Sequence, residues 1–241
     1  MLRARALGSV DGMDLEPLGP GLWTAEGPTA IDLAVVPYPT RMTIARLRGG
    51  GLWVSSPVPT SADDLDAIRA LGPVEHLVSA TPRHQWRLES WHVLFPDAKL
   101  WACAQGPATL GGRKLPATVL RRGSRTPWNG DLEHAVYPGL GFEEAVFLHR
   151  DSGTLLVEDI LQSHDALPGR PGVRALVRAG GVERPGGVPR DIRAITRRKL
   201  ARQWLDEVLS WDFDRLVMAH GPVIRAGAKA YVEQSFGWLT G

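Results

Sequence analysis

Two histidines and one aspartate in this chain stand where chemistry collects. His84, Asp159 and His220 each follow a short apolar run that reads as a buried strand: Leu77–Ala80, Leu155–Val157 and Leu216–Ala219. In α/β sheets, ligands gather where the chain leaves the carboxyl ends of strands. Two imidazoles and a carboxylate suffice for zinc or iron, with water filling an open coordination position. Of the seven histidines, an isolated one is by default packed or solvated, and spacing alone identifies no site. The alternative is therefore a metal-free arrangement in which Asp159 and His220 form a structural hydrogen-bonded pair. The expected cofactor is none, or one divalent metal. Trp86, Trp128 and His164 are the candidate walls of a pocket beside these residues.

Other chemistries find less support. Ser55-Ser56 and Ser163-His164-Asp165 contain the residue types of a hydrolytic relay. Adjacent residues cannot form one, because nucleophile, base and acid must converge through the fold. There is no Gly-x-Ser-x-Gly elbow and no Gly-x-x-x-x-Gly-Lys phosphate loop. Cys103 is the single cysteine, which excludes an internal disulfide and any multi-cysteine metal knuckle.

The elements that must position these residues follow from pattern. Gly21–Thr24 and Ile31–Val36 read as strands, with Pro37-Tyr38-Pro39 expected to break the ladder. Met42–Leu47 and Leu52–Ser55 flank Gly49-Gly50-Gly51 as a hairpin. Ser61 caps a helix whose first turn carries Asp63 and Asp64, and Gly72-Pro73 stops it. A strand at His76–Ala80, a helical stretch from Trp86 to Phe95 and a strand at Leu100–Cys103 follow. This alternation predicts a sheet covered by crossover helices. Residues 106–130 read as loop with a strand at Thr118–Leu120. Ala145–Leu148 and Thr154–Val157 form a second hairpin. The Gly/Pro-rich segment 167–189 reads as a lid insertion with a short helix at Val173–Val177. Pro189–Ser210 is the longest predicted helix. A strand at Arg215–Ala219 and a final helix burying Tyr231, Val232 and Phe236 complete the chain, which is expected to be one domain over 1–241.

The charge balance of 28 basic and 26 acidic residues, net +2, gives no footprint for nucleic acid. The nine tryptophans are scattered rather than interleaved with basic residues, so no base-stacking platform is indicated. No apolar run reaches the length of a membrane span, and the N-terminus lacks the pattern of a secretory signal. A cytoplasmic location and a small-molecule ligand are expected; the oligomeric state is not legible.

Several stretches together resemble the metallo-β-lactamase-like fold, and more narrowly a family of uncharacterised bacterial domains built on it. They are Gly21-Leu22-Trp23, Pro37–Thr43, Leu52–Pro57, Phe95–Ala98, Glu143–His149, Thr154–Asp159 and Met218–Gly221. The resemblance implies an αββα sandwich of two mixed β-sheets flanked by helices, with metals at one edge between the sheets. Carried over residue by residue, it retains His84, Asp159 and His220 as metal ligands. Pro82, Trp86 and Arg87 stand where other ligands of the family's His-x-His-x-Asp-His run would be, and no histidine falls within Gly139–Phe142. The resemblance thus implies a degenerate site without dinuclear hydrolase activity. A mononuclear hydrolase using His84, Asp159 and His220, and a small-molecule- or partner-binding domain, are the alternatives.

Overall fold

The computed structural model describes residues 13–32, 36–103, 109–110, 113–114, 116–165 and 170–240. The strands, in chain order, are β1 (Glu16–Gly19), β2 (Leu22–Asp32), β3 (Val36–Arg46), β4 (Leu52–Ser55), β5 (Val74–Ser79), β6 (Lys99–Cys103), β7 (Thr109–Leu110), β8 (Arg113–Lys114), β9 (Thr118–Leu120), β10 (Leu132–Pro138), β11 (Glu143–His149), β12 (Thr154–Val157) and β13 (Arg215–Met218). The helices are α1 (Ala62–Leu71), α2 (Leu88–Leu94), α3 (Pro171–Gly180), α4 (Arg190–Ala194), α5 (Arg198–Leu209) and α6 (Ala228–Phe236). Seven strands form one sheet in the order β1-β2-β3-β4-β5-β6-β9, and four form a second in the order β10-β11-β12-β13. Both sheets are mixed, with β4-β5-β6-β9 and β12-β13 parallel.

Alternation along each strand feeds separate cores, because successive side chains point to opposite faces. Ile44, Val54, Leu77 and Leu100 pack outward with Ile68 of α1 and Trp91 of α2. Their neighbours Ala45, Trp53, Val78 and Trp101 point inward, meeting Ala145, Phe147, Leu156 and Val217 of the other sheet. On that sheet's far face, Val146, Leu148, Leu155, Val157, Leu216 and Met218 pack against Trp204 of α5 and Phe236 of α6. The result is helix, sheet, sheet, helix. Ala145 N donates to Ala80 O at 2.8 Å, tying the two sheets together beside the site.

Both predicted hairpins form, as β3-β4 and β11-β12. Ser61 caps α1 in a reciprocal box with Asp64. Three expectations are corrected. The Pro37-Tyr38-Pro39 stretch does not break the ladder: β3 runs through it, paired there to β2 alone, so a missing N–H faces no second strand. (Part of the expected strand Ile31–Val36, residues 33–35, lies outside the described residues.) The long helix over Pro189–Ser210 is two helices. Thr196 interrupts it by donating its hydroxyl to Ile192 O at 2.6 Å and pairing with Gly139 after β10, so a side chain and a strand end take over the helical bonds. The segment 167–189, of which residues 167–169 lie outside the described residues, carries α3, which is longer than the short helix expected at Val173–Val177. Backbone pairs Gln162–Gly187 and His164–Glu183 pin its return.

Candidate functional site

The three candidate ligands leave the sheets at neighbouring strand ends. Beyond β5, Thr81 caps a 3-10 turn over Pro82–Arg87 and accepts from Arg83 N at 2.9 Å. His84 sits at the kink of that turn. Asp159 follows β12, and the Thr81 hydroxyl donates to its Oδ2 at 2.6 Å. His220 follows β13; Ala219 N donates to Val157 O at 3.1 Å and Ser163 N to His220 O at 2.9 Å. Arg41 of β3 reaches across, donating to the carbonyls of Met218 and, at 2.7 Å, Gly221. It thereby brackets His220 from both sides.

The side chains converge. His84 Nε2 lies 3.0 Å from His220 Nε2, and Asp159 Oδ1 lies 3.6 Å from the first and 3.4 Å from the second. All three are mostly or wholly buried. Their protons can be assigned from partners. His220 Nδ1 is 2.7 Å from the carbonyl of Pro39, which only accepts, so Nδ1 carries the hydrogen. Ser56 spends its one hydroxyl proton on Glu158 Oε1 at 2.5 Å, so it accepts from His84 Nδ1 at 2.7 Å. Each ring in its neutral form therefore turns a bare Nε2 toward the other and toward a carboxylate. Three electron-rich atoms this close need a positive charge among them, either a proton or a metal ion.

The electrostatics agree. Burial alone would lower the His84 pKa, but Asp159 and Glu158 outweigh it and hold the ring well above the ordinary histidine value. Burial would raise Asp159, yet His84 and His220 hold it well below the ordinary carboxylate value. The turn after β12 is cradled by wholly buried Glu144 of β11. Its Oε1 accepts from Glu158 N at 2.8 Å, and its Oε2 from Asp159 N at 2.8 Å and Ile160 N at 2.9 Å. Burial, with Asp159 and Glu158 close by, pushes Glu144 well above its usual value against those donors.

The donor set fits a divalent ion. With metal–ligand bonds of about 2.1 Å at angles between octahedral and tetrahedral, neighbouring ligand atoms lie about 3.0–3.4 Å apart. The triangle of 3.0, 3.4 and 3.6 Å is close to that spacing. Among the described residues, these three are the one group of His, Cys, Asp or Glu whose ligand atoms all lie within 4.8 Å of one another in a metal-binding arrangement.

A cavity of about 900 Å³ opens over the triad. His164 lines it and is itself mostly buried; burial, reinforced by His220, pushes its pKa down to about 4, so it is neutral near pH 7. Trp128, expected at a pocket wall, is instead wholly buried between the sheets, with its ring against Trp101 at 4.6 Å and His76 at 4.9 Å. A large apolar ring is worth most where it fills the inter-sheet core. The side chain of Trp86 lies outside the described residues. Sequence reasoning overlooked the supports: Ser56, Thr81, Arg41, Glu144, and Tyr38, whose ring packs edge-on to His220 at 4.7 Å. The adjacent acids Glu158-Asp159 after an apolar strand are the one signal that could have suggested a supporting carboxylate.

Comparison with known proteins bears on the fold. A family profile described as a domain of unknown function, DUF4336, matches residues 20–170. No functionally curated protein matches the sequence. Among solved structures, a metallo-β-lactamase from Hirschia baltica superimposes with TM-score 0.61 at 13% identity, covering 95% of this chain and 98% of that one. The DIM-1 metallo-β-lactamase gives 0.63 at 11% identity over 96% and 99%. The metal-soaked Flv1 flavodiiron core from a Synechocystis species gives 0.64 at 10% identity, over 95% of this chain and 61% of that one. At such identities the likeness concerns fold, and the fold is that of the metallo-β-lactamases. Among the described residues, no helix is long and apolar enough to cross a membrane.

Proposed function

The chain belongs to the DUF4336 family of domains of unknown function, and from that premise we propose that it is a one-metal protein in which His84, Asp159 and His220 hold a single zinc or iron ion. The observation that carries this is the pair of bare Nε2 atoms 3.0 Å apart, facing one buried carboxylate. Support for one ion rather than two comes from the absence, among the described residues, of a second such cluster. Such an ion would supply Lewis acidity and a lowered pKa for bound water.

The chain's own residues then have definite tasks. Pro39 O and Arg41 set the tautomer and place of His220. Ser56 and Glu158 do so for His84, and Thr81 orients Asp159. Such supports commonly govern metal affinity. With three protein ligands and a roomy cavity, this is the apparatus of a mononuclear hydrolase acting on a small molecule, and degenerate relative to a dinuclear one.

A second reading is favoured by the same 3.0 Å separation, which is also a hydrogen-bond length. A proton on His84 Nε2, shared with His220 and stabilised by Asp159, satisfies the cluster without metal. Metal content of untagged protein decides between them. About one zinc or iron per chain, abolished by Asp159→Asn with the fold intact, is the expected result. If no metal copurifies above trace and none binds on addition of zinc, iron or manganese, the one-metal proposal fails.

A further inference from the structure

The cavity over the triad is two-sided. One side is apolar, built from Val36, Val58, Leu176, Val177, Val182 and Pro189. Leu176 is 45% exposed, an uncovered leucine at the mouth. The other side is charged, and its charges are unequal in their commitments. Asp159 has His84 and Thr81, and Asp191 has Arg83 at 2.9 Å. Arg41 is taken by Glu26 at 2.5 Å and by two carbonyls. Arg190, at the start of α4, lines the cavity and is exposed, and among the described residues its guanidinium has no hydrogen bond or ion pair. Its stem passes over Gly181, where an added Cβ would come within 3.2 Å of Arg190 Cγ, so the glycine leaves room for the arginine beside the cavity.

We infer that this cavity binds an amphipathic organic acid, with the apolar body against Val58, Leu176 and Val182 and the carboxylate on Arg190. Apolar area removed from water would supply most of the affinity. The unpaired guanidinium would choose a carboxylate over a neutral head, since its fork matches two carboxylate oxygens. The anion would not displace an existing partner. The inference deepens the proposed function and takes from it only that this cavity is the working site.

Calorimetric titration of chelator-treated protein with decanoate tests it, with decan-1-ol and butyrate as comparisons. Decanoate should bind saturably, and each comparison at least about tenfold more weakly, one lacking the charge and the other most of the apolar body. Arg190→Gln should weaken decanoate about five- to tenfold, and Leu176→Asp at least tenfold; both sites are exposed, so folding is spared. Equal binding of decan-1-ol, no saturable decanoate binding, or an Arg190→Gln variant identical to the parent overturns the inference. So does a requirement for added zinc with Arg190→Gln silent, because the carboxylate would then sit on the ion. Metal content is read separately, on protein never exposed to chelator. Decanoate binding by a protein that neither copurifies with metal nor takes up added zinc, iron or manganese sinks only the one-metal proposal, and metal content of about one per chain without decanoate binding sinks only this one.

Discussion

Ser56 Oγ lies 2.7 Å from His84 Nδ1, and the serine that makes this contact has a backbone φ of +53°. A non-glycine residue in the left-handed region is costly and persists only where its surroundings over-determine it. Here Ser56 directs its hydroxyl to Glu158 and presents its oxygen to the imidazole, which turns the other ring nitrogen toward His220 and Asp159.

The trade between strain and site can be measured with two substitutions. Ser56→Ala removes the hydroxyl and keeps the strain; Ser56→Gly removes both. Metal affinity should fall about tenfold in each, as for loss of a group that orients a ligand. The glycine variant should be about 1 kcal/mol more stable than the alanine variant in urea denaturation. Equal stability of the two would mean that the backbone at Ser56 is unstrained.

Arg41 carries the other half of the site. It is 7% exposed and donates to the two carbonyls that bracket His220. Arg41→Met should cost about 2–4 kcal/mol, because buried carbonyls lose their donors. Arg41→Lys should recover only part of that, since a single ammonium lacks the planar fork that serves two acceptors and Glu26 together. Urea midpoints of the three proteins report the order. A lysine variant as stable as the parent would show that charge alone is required.

The fold and the triad were legible for one physical reason: each ligand follows a strand whose apolar run is short, buried and bounded. Leu77, Leu155 and Leu216 announce those strands without help from distant residues. The supporting groups were not legible, because their roles come from contacts far apart in sequence. Glu144 is useful only once β11 lies beside β12, and Arg41 only once β3 faces the turn after β13. Trp128 misled because composition assigns an aromatic residue equally to a pocket wall and to an inter-sheet core. Thr196 misled because the apolar face of a helix continues in sequence across a break made by hydrogen bonds to a strand.

His76, away from the cavity, gives the fold a dependence on pH. It lies on β5, 3% exposed, and accepts from Trp101 Nε1 at 3.2 Å through Nδ1. Burial, and secondarily Lys99, pushes its pKa down to about 4 from 6.5. The unfolded chain therefore binds this proton more readily than the folded one between those values, and stability rises with pH across that interval. The contribution is fully present above pH 6.5 and is lost as the pH falls toward 4. A shift of this size corresponds to at most about 3 kcal/mol. His164 and His149 are also lowered and act in the same sense, so the effect of His76 must be read as a difference. His76→Gln, which keeps an acceptor for Trp101, should lose up to about 3 kcal/mol less than the parent between pH 7 and pH 4 in urea denaturation. Parallel pH profiles for the two proteins would mean that His76 is protonated as easily in the core as in water.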